Sequence, residues 1–294
     1  MTENGVIIKG LGGLYTVVYR GKMFTCPARG IFRKDSTKPM IGDLVELSET
    51  DEKEGTAVID RILPRKNQLI RPAVANVDQI IVVMAAKSPA PDLLLIDKLL
   101  LHAGQKHIDT VMVINKTDQD PDLAEARYEE YRCAVPHILR TCTRDGTGTE
   151  ELKALISGKI SVLAGQSGAG KSSLLNILMG TGVMATGELS AKTDRGRHTT
   201  RHNEMFMTDT GFLIDSPGFS LFEMEELEPL ALQNFYPEIY NNEGSCFFPD
   251  CSHTGEPRCY VPELVAQHQF SPGRYERYQT LYKELKEREK NKYK

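Results

Sequence analysis

Short apolar runs separated by glycines fill the first 66 residues. Val6-Ile7-Ile8, Leu14 to Tyr19, Met23 to Cys26, Asp43 to Leu47 and Thr56 to Ile59 are strand candidates. Gly10, Gly12-Gly13, Gly21, Gly42 and Gly55 punctuate them. Five short strands in so little chain predict a small β-barrel, either an OB-fold or an SH3-like barrel. Leu63-Pro64-Arg65-Lys66 and Arg71-Pro72 mark a linker. Beyond it the period changes. Val77 to Met84 is a continuous apolar run suited to a strand buried on both faces. Asp92 to Gly104 reads as a helix with Leu93, Ile96, Leu99 and Leu100 on one face. Thr110 to Ile114 and Ile160 to Ala164 are further strands, and Ser172 to Leu178 is an apolar helix. Strands alternating with helices predict an α/β domain with a mainly parallel sheet, which binds ligands at the carboxyl ends of its strands. From about residue 223 the pattern breaks again, into acidic helix-prone sequence, a cysteine cluster and a charged helix from about Pro272. That last stretch is too small to bury much core without a metal or a neighbouring domain.

Composition narrows the class. A chain of 294 residues with 40% hydrophobic content is long enough for two or three compact units. A net charge of -4 gives no global argument for nucleic-acid binding. Ser271 to Lys294 holds eight Lys/Arg against four Glu, which by itself reads as a solvated helix face. No apolar run approaches the roughly 20 residues of a membrane span, and Met1 to Gly5 lacks the basic start of a signal peptide. The expectation is a cytoplasmic protein without a membrane partner.

Two motifs carry the nucleotide chemistry. Gly165-Gln166-Ser167-Gly168-Ala169-Gly170-Lys171-Ser172, followed by Ser173, lies between a strand and a helix. Its glycines let backbone N–H groups approach phosphate oxygens, Lys171 reaches the β- and γ-phosphates, and the Ser172 hydroxyl ligates Mg²⁺. The helix N-terminus adds attraction for anions. Asn115-Lys116-Thr117-Asp118 directly follows a strand. The Asp118 carboxylate accepts from the guanine N1–H and N2 amino groups, a pair of donors that adenine lacks. Asn115 fixes the loop and the Lys116 stem covers the ring. In ordinary guanine-nucleotide switches this base-reading motif follows the phosphate loop. Here it precedes it by about fifty residues, the order of a GTPase whose chain has been cut and rejoined.

The remaining switch elements are weaker. Asp145-Gly146-Thr147-Gly148 and Asp215-Ser216-Pro217-Gly218 both match DxxG, a pattern expected about once in any chain this long. The first precedes a helix near Thr149 and reads as a turn. The second closes the apolar run Gly211 to Ile214, so Asp215 is placed to hold Mg²⁺ through water and Gly218 to offer its N–H to the γ-phosphate. Gly182 to Thr200 is polar, with Thr199 and Thr200 as candidates for Mg²⁺ and γ-phosphate binding. Phe219 stands where many GTPases carry a water-orienting Gln. His198 is the nearest polar substitute, as a catalytic group or as an exposed, RNA-contacting one. Slow unassisted hydrolysis is expected, with a partner completing the site.

Cys246, Cys251, His253 and Cys259 form C-x4-C-x-H-x5-C. Three thiolates and one imidazole suit tetrahedral Zn²⁺, and four protein ligands leave no open position, so the site is structural.

The inverted motif order, the barrel before it and the Cys-Cys-His-Cys cluster after it together resemble the circularly permuted small-ribosomal-subunit biogenesis GTPases of the RsgA/YjeQ type. The resemblance spans essentially the whole chain and includes Arg195-Gly196-Arg197-His198-Thr199-Thr200. It implies an N-terminal OB-fold over 1–66, a permuted α/β GTPase domain over 71–222, and a mainly α zinc domain with a basic C-terminal helix over 223–294. It further implies a monomer that binds GTP and GDP, contacts the small ribosomal subunit and its rRNA, and hydrolyses GTP under stimulation by that subunit. A hydrophobic residue at the Phe219 position is a family trait, and the family's proposed catalytic histidine maps to His198. The family's Ser-Ala base-loop signature is degraded here to Thr141-Cys142-Thr143. Two rivals are an RNA-binding placeholder whose hydrolysis is incidental and a phosphate-loop kinase. The latter would make both NKxD and DxxG coincidences. The permuted order also places Asp215 to Gly218 almost directly before the zinc-bearing stretch, which predicts coupling between nucleotide state and the C-terminal part.

Overall fold

A computed structural model describes residues 4–28, 38–70, 72–179, 204–215 and 227–292. They fall into two compact units. One contains Met1–Gln79, Lys153–Leu163 and Ser172–Phe219; the other contains Ile80–Leu152, Ala164–Lys171 and Ser220–Lys294.

The first unit begins with β1 (Gly5–Leu11), β2 (Leu14–Tyr19), β3 (Lys22–Pro27), β4 (Leu44–Asp51) and β5 (Thr56–Ile62), within a residue or a few of the expected runs. They close a barrel in the order β1-β2-β3-β5-β4. Neighbours are antiparallel except β3 and β5. This is an OB-like arrangement. Alternation supplies its core, since Ile7, Val17, Phe24, Cys26, Val45 and Ile59 all point inward. Arg65, in the expected linker, grips the fully buried Asp43 with a two-pronged pair at 2.6 and 2.8 Å, a geometry matched to a carboxylate. The linker is thereby tied to the barrel; Arg71 lies outside the described residues. The short strands β6 (Gln68–Leu69) and β7 (Val74–Ala75) follow.

The α/β elements follow in chain order. They are β8 (Gln79–Ala85), α1 (Leu93–Gln105), β9 (Asp109–Asn115), α2 (Pro121–Tyr131), β10 (His137–Arg140), α3 (Thr149–Ile156), β11 (Ile160–Ala164), α4 (Lys171–Met179), β12 (Glu204–Met207) and β13 (Phe212–Asp215). In the second unit the strands run β10-β9-β8, with β10 parallel to β9. In the first they run β11-β13-β12, with β11 parallel to β13 and β12 antiparallel at the end. Every residue of β8 and β11 is buried, as their mainly apolar sequence requires; the two polar residues, Gln79 and Ser161, bond to each other at 3.0 Å. The helix α1 starts one residue later than expected, because Asp92 caps it by accepting from Leu95 N–H at 3.0 Å. Three elements lacked an apolar signal. Only Ala124 and Tyr131 of α2 are buried, and β10 and β12 span four residues each. Asp145 to Gly148 is a turn, as read.

The C-terminal stretch is helical: a 3₁₀ segment (Pro229–Phe235), α5 (Pro237–Tyr240), α6 (Val261–Ala266) and α7 (Pro272–Lys292). Leu232, Tyr236, Leu264, Phe270, Tyr278 and Leu281 form its core, which also takes in Leu101 of α1. No described helix is long and apolar enough to cross a membrane.

Candidate nucleotide site and metal centre

The phosphate loop leaves β11 at Gly165 and enters α4 at Lys171. Gly165 has φ +127°, and a Cβ there would lie 2.1 Å from Val83 O; Gly170 has φ +100°, and a Cβ would meet Asn115 Nδ2 at 2.1 Å. Both positions exclude any other side chain, by conformation and by space. Lys171 Nζ donates to Gly165 O at 2.8 Å and Gln166 O at 2.9 Å, so the ammonium folds back over the loop. Ser172 and Ser173 are exposed in the first turn of α4.

The base-reading loop follows β9 and is joined to the phosphate loop. Asn115, buried, donates from Nδ2 to Ala169 O at 3.0 Å. Lys116 takes the left-handed conformation, φ 60°, and its Nζ donates to Gly168 O at 2.7 Å and Ser88 O at 2.9 Å. Thr117 and Asp118 lie in the 3₁₀ turn Thr117–Gln119. The Lys116 stem thus spans from one loop to the other. Asp118 Oδ2 accepts from Arg144 Nη1 at 2.9 Å.

Asp215 ends β13, and the parallel register sets it level with Leu163, two residues before the phosphate loop. His198, Thr199 and Thr200, the rest of Gly182 to Thr200, and Ser216, Pro217, Gly218 and Phe219 lie outside the described residues, as do 223–226.

Two further contacts were not readable from the sequence, although both residues stand in segments it marks. Thr141, buried after β10, donates Oγ1 to Asn115 Oδ1 at 3.0 Å, and its carbonyl accepts from Thr117 N–H at 3.3 Å. Gln166 Oε1 accepts from Asp92 N–H at 2.8 Å, tying the phosphate loop to the cap of α1. Thr141 stands in the degraded Ser-Ala segment, so only its place at a strand end could have marked it.

The ligand atoms of Cys246, Cys251, His253 and Cys259 all lie within 4.8 Å of one another. Cys246 Sγ is 3.9 Å from Cys259 Sγ, and His253 Nδ1 is 3.5 Å from both. A tetrahedral Zn²⁺ with Zn–S of about 2.3 Å and Zn–N of about 2.0–2.1 Å requires edges of roughly 3.8 Å for S–S and 3.5 Å for S–N. The edges among Cys246, His253 and Cys259 match that ion, and Cys251 offers the fourth ligand atom. His253 Nε2 lies 2.8 Å from Gln233 Oε1; donating there leaves Nδ1 with a free lone pair toward the thiols. Tyr275 and Tyr278 hydroxyls donate to the carbonyls of His253 and Ser252 at 2.8 and 3.0 Å, so α7 braces the ligand loop. Burial pushes the Cys259 thiol up to about 12 and lowers the His253 pKa. A buried thiol of that kind is held ionised by a cation.

Five charged residues set α7 against α1, α2 and α5. Arg274 is 1% exposed and pairs with Asp97 Oδ1 and with Glu238 Oε1 at 2.7 Å. Arg277 pairs with Asp97 Oδ2 and, at 2.9 Å, with Glu130 of α2. The Arg274 guanidinium lies 4.5 Å from the Tyr236 ring centre. Burial opposes its charge, but Glu238 and Asp97 more than offset this and raise its pKa.

A parallel α/β fold with a phosphate loop, preceded in sequence by a guanine-type base loop and carried behind an OB-like barrel, defines a circularly permuted GTPase. Comparison with known proteins gives the particular kind. The RsgA GTPase family profile matches residues 62–225, and the RsgA N-terminal domain profile matches 4–57. A protein of Ruminiclostridium cellulolyticum named small ribosomal subunit biogenesis GTPase RsgA is 43% identical over 286 residues, covering 96% of this chain and 94% of its own. The protein of the same name from Carboxydothermus hydrogenoformans is 42% identical, covering 96% and 97%. The crystal structure of YjeQ from Thermotoga maritima superposes with a TM-score of 0.78 at 37% identity, covering 96% of this chain and 98% of that one. YloQ, described as a circularly permuted GTPase, gives 0.78 at 32%, covering 97% and 95%. The chain belongs to the RsgA GTPase family and is a GTP hydrolase.

Proposed function

We propose that this protein hydrolyses GTP on the small ribosomal subunit during late maturation of that subunit, which stimulates turnover. The observation that carries the nucleotide reading is the join between its two loops. Asn115 to Ala169 and Lys116 to Gly168 hold the base-reading and phosphate loops in one body, although more than fifty residues separate them. Asp118 reads guanine, Asn115 and Thr117 fix its loop, and Lys116 covers the ring. Backbone N–H groups from Gly165 through Gly170 receive the phosphates, and Lys171 swings from its carbonyl partners onto the β- and γ-phosphates. Ser172, with Ser173 beside it, and Asp215 hold Mg²⁺, which neutralises phosphate charge when bound. Gly218 N–H and Thr199 or Thr200 contact the γ-phosphate, and His198 orients water. Water attacks the γ-phosphorus, the bond to the β-phosphate oxygen breaks, and GDP and phosphate leave.

The cluster of four ligands is read as one structural Zn²⁺ site. The chain is divided into a barrel over 1–66, the permuted GTPase domain over 71–222 and a zinc domain over 223–294. It acts as a cytoplasmic monomer that contacts rRNA through the barrel and zinc domain. The names of the curated relatives support the ribosomal partner. GTP turnover measured with and without purified small subunits tests it. Stimulation is expected; equal rates would redirect the search to another partner.

A further inference from the structure

The guanine-reading carboxylate already has a partner inside the chain. Arg144 Nη1 donates to Asp118 Oδ2 at 2.9 Å, and the Arg144 side chain is 80% exposed against 26% for Asp118. A guanidinium and the guanine edge offer a carboxylate the same thing: a flat group with paired N–H donors. Arg144 holds one oxygen, Oδ2, and the guanine edge needs both, so the base docks fully only when that bond gives way.

The loop bearing Arg144 is braced against the base-reading loop. Thr141 fixes its start to Asn115 and Thr117. Cys142 N–H donates to Thr147 O at 3.1 Å and Gly146 N–H to Cys142 O at 3.0 Å. Asp145 Oδ1 accepts from both Thr147 N–H and Thr147 Oγ1, at 2.9 and 2.7 Å. The turn closes on itself, which sets the Arg144 backbone beside Asp118 and leaves the exposed side chain free to move.

We propose that Arg144 is an internal competitor of guanine for Asp118. It occupies the carboxylate when the base is away and swings into solvent as the base docks. The proposal rests on the assignment of Asp118 to guanine. It makes Arg144 a determinant of affinity and exchange: returning to Asp118 as GDP loosens, it favours release. An exposed pair is weak, so the competition is worth roughly two- to five-fold in affinity.

Fluorescent GDP and GTP binding to wild type and to Arg144→Ala, at equilibrium and by stopped flow, tests this. Because Arg144 is exposed, the variant keeps the fold. Arg144→Ala is expected to bind both nucleotides roughly two- to five-fold more tightly, with slower GDP release. The gain should vanish in an Asp118→Asn background read with xanthosine diphosphate, and should shrink toward nothing at about 1 M salt. Unchanged or weaker binding by Arg144→Ala overturns the proposal; weaker binding would mean that the guanidinium supports the bound base. Equal wild-type affinity for ATP and GTP would instead overturn the base assignment, and the competition with it.

Discussion

In the proposed function, Asp118 selects the base through what its carboxylate accepts. An Asn in its place turns one acceptor into a donor, which opposes the guanine edge and suits the extra oxygen of xanthine. Hydrogen bonds to charged groups contribute about 1.5–3 kcal/mol, so Asp118→Asn should weaken GTP binding by roughly one to two orders of magnitude and gain binding of xanthosine triphosphate. Undiminished GTP selectivity in a competition assay would falsify the assignment. Gly170 is the complementary position. A methyl group there meets Asn115 Nδ2 at 2.1 Å, so Gly170→Ala should break the join between the two loops. Nucleotide affinity should fall by about tenfold or more while the thermal midpoint of the barrel holds. Residue identities in these loops were legible in the sequence because the chemistry sits in contiguous positions with fixed backbone demands. Arg144 was not, because nothing about a loop arginine indicates which carboxylate it will face.

Between elements, the cost of burial ranks the ion pairs. Arg274 is wholly enclosed between α1, α5 and α7, with Asp97 and Glu238 as its partners. Removing it strands the buried Glu238 and leaves Asp97 to Arg277 alone, and losing one side of a buried pair costs about 3–5 kcal/mol. Arg274→Ala should therefore lower the urea midpoint strongly. Lys98 and Glu284 join α1 and α7 as well, at 2.9 Å, but both are partly exposed. Glu284→Ala should change stability by no more than about 1 kcal/mol. Comparable losses in the two variants would show that α7 is not held by its buried arginine. The strands were readable from their apolar runs, as β8 and β11 illustrate. By contrast, α2 buries only Ala124 and Tyr131. It is held by caps and ion pairs, and those leave no period in the sequence.

For the whole molecule, the proposed metal site predicts that the C-terminal part depends on a bound ion. Structural Zn²⁺ contributes roughly 10–16 kcal/mol of apparent binding energy in small metallo-peptides, a large addition to the core around Tyr236, Leu264 and Tyr278. One zinc per chain is expected by elemental analysis, and cobalt substitution should give the absorption of a tetrahedral thiolate site. Chelation or Cys251→Ser should cost helical signal from 229–292 while the barrel survives. Retention of the full signal by the metal-free chain would make the cluster dispensable. The coupling that the permuted order predicts starts from Asp215 to Gly218 and enters the C-terminal part through 219–228, most of which lies outside the described residues. Within them, a series of contacts lies between the phosphate loop and the ligand loop: Gln166 to the cap of α1, Asp97 to Arg274, and Tyr275 and Tyr278 to the ligand loop.

Sequence alone determined the barrel, the strand that feeds each loop, the two nucleotide motifs in their inverted order, and the cluster of three cysteines and one histidine. All of these are local: alternation, an apolar run, a glycine-rich turn or a short ligand spacing constrains the backbone where it stands. Tertiary structure decided the pairings. Asn115 with Ala169, Arg144 with Asp118, Gln233 with His253 and Arg274 with Asp97 lie 54, 26, 20 and 177 residues apart. A hydrogen bond depends on where two atoms meet in space, and no pattern along the chain records that meeting until the chain has folded.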